Sequence, residues 1–206
     1  LAIFSIIISV PVAIITDYIM HATGGWLLTK SAFPFKLFTY VSIEQLIWMF
    51  LFVYLVTYFY ETFVEHHRQK FVVDRHLKFI AVPFLICLGI FSVLYIFNPA
   101  LLHINFFYLK VGLIVGILPI ILAFWKIPRV WTRVTIAGAY FFFMSFIYEI
   151  TALQLGQWTF PVREQFIGWM DFGGTIQFPF EEFLFYIVLC AISILSIYEI
   201  FDDDEK

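Results

Sequence analysis

Charge is scarce in this chain. Lys, Arg, Asp and Glu make up 13% of its 206 residues, where water-soluble domains carry about a quarter. Hydrophobic residues make up 63%, and the mean hydropathy is +0.95. This composition excludes an ordinary soluble domain and points to an integral membrane protein. Cysteine is scarcer still. Cys87 and Cys190 stand apart, each inside an apolar run, and read as small buried hydrophobes rather than a disulfide or a thiolate metal site. Neither a G-x-G-x-x-G loop nor a Walker loop occurs, so no nucleotide, flavin or nicotinamide cofactor is implied. "EHH" at 65–67 lacks the i, i+4 histidine pair of a zinc helix, so no metal is expected. His66, His67 and His76 read as solvated loop residues, and His103 as interfacial. Lys110 lies only about two turns inside its apolar run, too shallow for the deep lysine of a retinal Schiff base. A net charge of −3 carries no nucleic-acid signature.

What the chain does have is length in its apolar runs. A spanning helix needs about 20 mostly apolar residues. Segments 2–20, 38–60, 78–97, 104–125, 132–154 and 179–200 qualify. The expected fold is all-α: a bundle of six transmembrane helices in a single domain, 1–206, with halves at about 1–76 and 77–206. The first segment is followed by Asp17 and has no basic region before it, unlike a cleavable signal. Arg68, Lys70, Arg75 and Lys78 fall in one loop, and Lys126, Arg129 and Arg133 in another on the same side. The positive-inside rule makes that side cytoplasmic, together with the acidic C-terminal tail 202–206.

A pattern occurs twice. "DYIMHATGGW" (17–26) closes the first run and "EITALQLGQW" (149–158) closes the fifth. Each has a carboxylate, a glycine seven residues on, and a tryptophan nine residues on. Asp17, Gly24 and Trp26 thus match Glu149, Gly156 and Trp158. The next run in each half opens with a glutamate and an aromatic at i+4: Glu44 and Trp48, then Glu181 and Phe185. The matched runs are four apart, an even number, so the repeat is expected to be parallel. All four matched acids then lie at one membrane level.

Carboxylates at membrane depth are rare and usually face a bundle interior. In apolar surroundings a carboxyl favours its neutral form, and a protonated glutamate can act as a general acid without a cofactor. Aromatic faces stabilise a nearby cation by about 0.5–2 kcal/mol per ring. That combination suits protonation of a carbon–carbon double bond away from water, with a second carboxylate removing a proton afterwards. The candidate acids are Asp17, Glu44, Glu149, Glu181 and Glu182. The repeat matches Glu181 to Glu44 and Glu182 to Gln45, which makes Glu181 the preferred acid and Glu182 its support. Pro179 and the helix dipole offer a structural reason for one of the two. Trp26, Gln45, Trp48, Tyr148, Trp158, Phe178 and Phe185 are the candidate pocket walls. With 28 phenylalanines, the chain has more aromatic bulk than interfacial belts use. His21, one turn from Asp17, is a candidate partner for it.

The doubled acid–x6–G–x–W corner, followed by "PFEE" opening an aromatic helix, resembles the lycopene cyclase domain of two-subunit and fused lycopene β-cyclases. The resemblance covers essentially the whole chain. It implies a multi-pass cell-membrane isomerase that closes the ends of a long, hydrophobic linear polyene into rings, with no cofactor and no net redox change. Assembly into a homo-oligomer is compatible with it. Fused members tend to have one helix more, and residue 1 is Leu, so a seventh, N-terminal helix is expected. Two departures stand out: "SIEQ" replaces P-x-E-E in the first half, and "TDY" replaces the usual W-D. The rival expectations are another isoprenoid-modifying membrane enzyme, and a non-catalytic isoprenoid-binding or proton-coupled transport protein.

Overall fold

The computed structural model describes residues 1–65, 77–173 and 176–201, apart from the side chain of Lys78. The basic loop residues 66–76, with their three histidines, and the acidic tail 202–206 lie outside the described residues.

Apolar length becomes helix wherever the backbone must satisfy its own hydrogen bonds, as it must in lipid. Five helices are long and apolar enough to cross a membrane: α1 (Ala2–Ala22), α2 (Ile43–Glu65), α3 (Phe79–Phe97), α4 (Phe107–Lys126) and α5 (Pro128–Gln154). The sixth apolar run is broken. Its two pieces, Glu182–Val188 and Cys190–Phe201, meet at 52° and together form α6. The fold is therefore all-α, with five straight candidate spans and one bent pair.

Two helices start later than hydropathy alone suggests. Residues 38–42 are apolar but belong to a hairpin, β2 (Lys36–Leu37) against β3 (Val41–Ser42), and the Ser42 side chain then caps α2 by accepting from the Gln45 N–H at 3.3 Å. Gln177–Pro179 likewise forms strand β6, paired with β5 (Trp169–Asp171), before α6 begins. A third ladder joins β1 (Leu27–Leu28) to β4 (Trp158–Thr159). All three sit at the same end of the bundle as the matched acids.

Helix α1 packs on α2 and α3, while α6 packs on α4, α5 and α2. The α2–α6 contact joins the two groups around a core of Val53, Val56, Phe141, Ile194 and Leu195. Helix α3 covers little beyond α1, and Leu85, Ile90, Val93 and Ile96 remain exposed. An exposed aliphatic face of this length is the lipid-facing side of a membrane helix. Cys87 is exposed on α3, which corrects the expectation that it is buried: lipid rather than protein covers that helix.

The opposite end of the bundle is tied by polar contacts. Arg133 of α5 meets Glu65 of α2 at 2.9 Å, Tyr60 of α2 donates to Glu199 of α6, and Tyr198 of α6 donates to Glu61 of α2.

Candidate functional site

Two helix ends form the frame of the site. At the end of α1, Gly24 takes a φ of +69°, and its neighbour Gly25 returns an N–H to the Met20 carbonyl at 2.7 Å. At the end of α5, Gly156 takes a φ of +61°, and Gln157 returns an N–H to the Ala152 carbonyl at 2.9 Å. This is the left-handed helix stop that glycine allows at least cost. Each stop turns the chain back so that a tryptophan meets the helix it has just left. Trp26 Nε1 donates to Asp17 Oδ1 at 3.2 Å, and Trp158 Nε1 donates to Glu149 Oε1 at 3.1 Å. The two corners are bonded to each other. Leu27 pairs with Thr159 in the β1–β4 ladder, the Thr29 N–H reaches the Gln157 carbonyl at 3.1 Å, and the Val162 N–H reaches the Gly24 carbonyl at 3.1 Å.

The four acids nearest these corners are almost fully shielded from solvent: Glu149 is 0% exposed, Glu181 1%, Asp17 5% and Glu182 7%. Their hydrogen bonds differ. Asp17 is satisfied on both oxygens, by Trp26 and by the Ser42 N–H at 3.1 Å. Among the described residues Glu149, Glu182, Glu181 and Glu44 each keep an Oε2 without a hydrogen-bond partner. The carboxyls of Glu149 and Glu182 are close enough to interact electrostatically, and the phenol of Tyr108 stands beside Glu182. Glu181 Oε1 accepts from the Ile167 N–H at 2.7 Å. Glu44 Oε1 accepts from the Ser31 hydroxyl at 2.8 Å and from the backbone N–H groups of Ala32 and Phe33, the latter at 2.9 Å. Glu181 and Glu44, matched in the sequence, thus each hold a loop that precedes their own helix.

A cavity of about 180 Å³ lies between α1, α2, α4 and α6. Asp17 and Glu182 line its polar end together with Gln45, Trp26, Trp158 and Tyr108; Ile8, Val53 and Ile197 line its apolar end. From Ile8 to Asp17 the wall runs nine residues of α1, about 14 Å at 1.5 Å per residue. The space is elongated along the bundle axis.

Aromatic rings enclose the acidic end on two sides. On one, Trp26 meets Tyr108 at 5.5 Å and Tyr108 meets Phe185 at 6.2 Å. On the other, Trp158 meets Tyr148 at 5.5 Å, Tyr148 stacks on Trp48 at 5.9 Å, and Trp48 meets Tyr186 at 5.6 Å.

Five of the candidate walls, Trp26, Gln45, Trp48, Trp158 and Phe185, line the cavity. Tyr148 backs Trp48 from outside and is partly exposed. Phe178 does not line the cavity but is buried in the cluster behind Trp26, Tyr108 and Trp158, stacked on Phe172 at 5.2 Å, because it belongs to the β5–β6 hairpin and not to α6. His21 stacks on Tyr40 at 4.6 Å while Trp26 and Ser42 occupy Asp17. The preference for Glu181 over Glu182 meets a different geometry: Glu181 turns to the loop and Glu182 to the cavity. Sequence reasoning missed Tyr108, which has no counterpart in the doubled pattern. Tyr186 carried a signal, since it stands four residues after Glu182 on the same helix. Cys190 also lines the cavity.

Among the described residues no group of three or more His, Cys, Asp and Glu is arranged to hold a metal ion. Neither a protein-family profile, nor a curated protein, nor a solved structure matches this chain.

Proposed function

We propose that this protein is a membrane enzyme that cyclises the end of a linear polyene, of the lycopene type, by acid catalysis. One observation carries the reading: a carboxyl with an unpartnered oxygen, Glu182, and a carboxylate held by two N–H donors, Asp17, line the same aromatic-walled cavity from different helices.

The two environments suit the two halves of a proton relay. Among the described residues no group bonds Glu182 Oε2, so this oxygen is open to the cavity and suited to carry a proton and give it up. The Trp26 indole and the Ser42 amide each aim an N–H at Asp17 and fix its position, which suits it to receive a proton from the substrate. In the reaction, Glu182 transfers its proton to the terminal double bond, leaving a tertiary carbocation. The neighbouring double bond attacks that carbon, a carbon–carbon single bond closes the ring, and the charge moves to the ring. Asp17 removes a proton from the adjacent carbon, and a double bond forms there. The product is an isomer of the substrate. Glu182 ends charged and Asp17 protonated, and exchange with water restores both.

Glu149 has a supporting role. Its carboxyl stands beside Glu182, where one carboxyl can pass a proton to the other. Trp48, Tyr186 and Phe185 line the cavity, where an aromatic ring near a cation is worth about 0.5–2 kcal/mol. Exclusion of water protects the carbocation from capture.

We read the α1–α2 and α5–α6 corners as the two halves of a parallel repeat, with α6 as a bent sixth span. In this reading the corners face the non-cytoplasmic side, and the C-terminus lies in the cytoplasm.

Expression in a lycopene-accumulating host, followed by pigment chromatography, tests the proposal. Cyclic carotenoids are expected with the natural chain and none with Glu182→Gln. Unchanged lycopene with a well-expressed natural chain overturns it, and a hydrated or otherwise altered acyclic pigment would identify a different isoprenoid-modifying reaction.

A further inference from the structure

The cavity is much smaller than the substrate class proposed for it. A dry cavity of about 150 Å³ accommodates one benzene, so about 180 Å³ suits a single ring-sized end group. The remainder of a long polyene must lie elsewhere.

The packing of α4 shows where. Helix α1 meets α4 through the first turn of α4, Phe107–Val111; beyond it, α4 packs on α6. Two glycines bring α4 and α6 together. A Cβ on Gly112 would lie 2.2 Å from the Phe185 ring, and one on Gly116 would lie 3.6 Å from it. The Gly112–Ile117 stretch is also wound as a π-helix, a local departure that often marks functional sites. With α4 drawn toward α6, α1 and α4 border the same cavity, and beyond the first turn of α4 their packing on each other is sparse. Trp26 meets Tyr108 of α4 at 5.5 Å at one end of this stretch, and Phe4 of α1 meets Tyr198 of α6 at 5.2 Å toward the other. Between them stand Val12, Val111 and Val115, all cavity-lining and all partly exposed. Val12 is the middle residue of α1, about 15 Å from either end at 1.5 Å per residue, which is the depth of the bilayer centre.

We propose that the cavity opens sideways into the bilayer interior between α1 and α4, and that the apolar tail of the polyene lies in this opening while its end group sits among the acids. This inference rests on the cyclase reading. The physical reason is solubility: a long hydrocarbon is dissolved in the lipid core, and a side entrance lets one end reach the acids without passing through water.

The full chain in lipid nanodiscs, carrying Val12→Phe and Val115→Phe together, provides the test. Two probes share one acyclic end group: lycopene, with a long tail, and pseudoionone, with a short one. The ratio of lycopene conversion to pseudoionone conversion is expected to fall by about tenfold or more, the scale of steric discrimination in apolar pockets. Equal losses for both probes, or no loss, overturn the side opening. Binding is followed separately through quenching of tryptophan fluorescence by lycopene, since Trp26, Trp48 and Trp158 line the cavity. Quenching without conversion in the natural chain removes the catalytic reading and leaves the opening standing, provided the double variant weakens the quenching. Undiminished quenching in that variant, or none in the natural chain, overturns the opening.

Discussion

The corner at the end of α1 and the corner at the end of α5 have the same backbone stop and the same acid-to-indole bond, yet they treat their carboxyls differently. The first adds the Ser42 amide to Asp17 and places Gln45 in the cavity wall. The second offers Glu149 a single indole donor and places Glu182 in the wall. Asp17 is therefore bonded on both oxygens, while among the described residues Glu149, Glu181 and Glu182 of the other corner each keep one carboxyl oxygen without a partner. A buried acceptor without a donor is costly, about 1–3 kcal/mol, and tends to persist where function needs it. The comparison teaches that similar local frames can leave their carboxyls with different hydrogen-bond partners, Asp17 bonded on both oxygens and Glu149 on one.

The largest expected effect comes from removing the proton donor. Glu182→Gln should lower conversion by about 10²–10⁴-fold, the usual worth of a general acid, while Glu181→Gln, which keeps an acceptor for the Ile167 amide, should lower it by less than about tenfold. Pigment yield per unit of expressed protein measures both. A reversed order would return the chemistry to Glu181 and break the assignment.

Next comes the acceptor. Asp17→Asn keeps a side chain of the same shape but cannot take the proton, and a loss of about 10²-fold is expected. Product analysis sharpens this point, because a cation with no base nearby is open to capture by water. Full activity in Asp17→Asn would show that the first corner has only a structural role.

The indoles separate the corners by stability. Trp158→Phe deprives Glu149 of its one hydrogen-bond donor among the described residues and should cost about 1–3 kcal/mol. Trp26→Phe leaves Asp17 bonded to Ser42 and should cost about 1 kcal/mol. Thermal unfolding in detergent gives the order, and equal losses would mean that the extra amide at Asp17 contributes nothing.

The glycines test the two helix stops themselves, with effects of the same size as the indoles. Gly156→Ala meets no neighbour and carries only the left-handed penalty of about 1–2 kcal/mol. Gly24→Ala carries the same penalty and also brings a Cβ to 2.7 Å from Val162 Cγ2, so its loss should be the greater of the two. The same unfolding measurement compares them.

Much of this molecule is decided by the amino-acid sequence alone. Long apolar runs in a chain poor in charge must become membrane helices, because lipid leaves the backbone no other partner. The spacing of acid, glycine and tryptophan is local information, and a glycine stop seven residues past an acid folds the indole back onto it. The doubling of that spacing, and with it most of the cavity's polar end, was legible for the same reason. The facing of Glu181 and Glu182 was not. Helical arithmetic at 100° per residue assumes a regular α-helix, but α6 is π-wound from Glu182 to Val188 and bends at its junction. Which carboxyl turns inward depends on the Ile167 amide, delivered by a loop fourteen residues earlier in the chain. Tyr108 arrives beside Glu182 from α4, far away in the sequence. Such contacts are set by how helices lean on one another, and only the assembled bundle decides them.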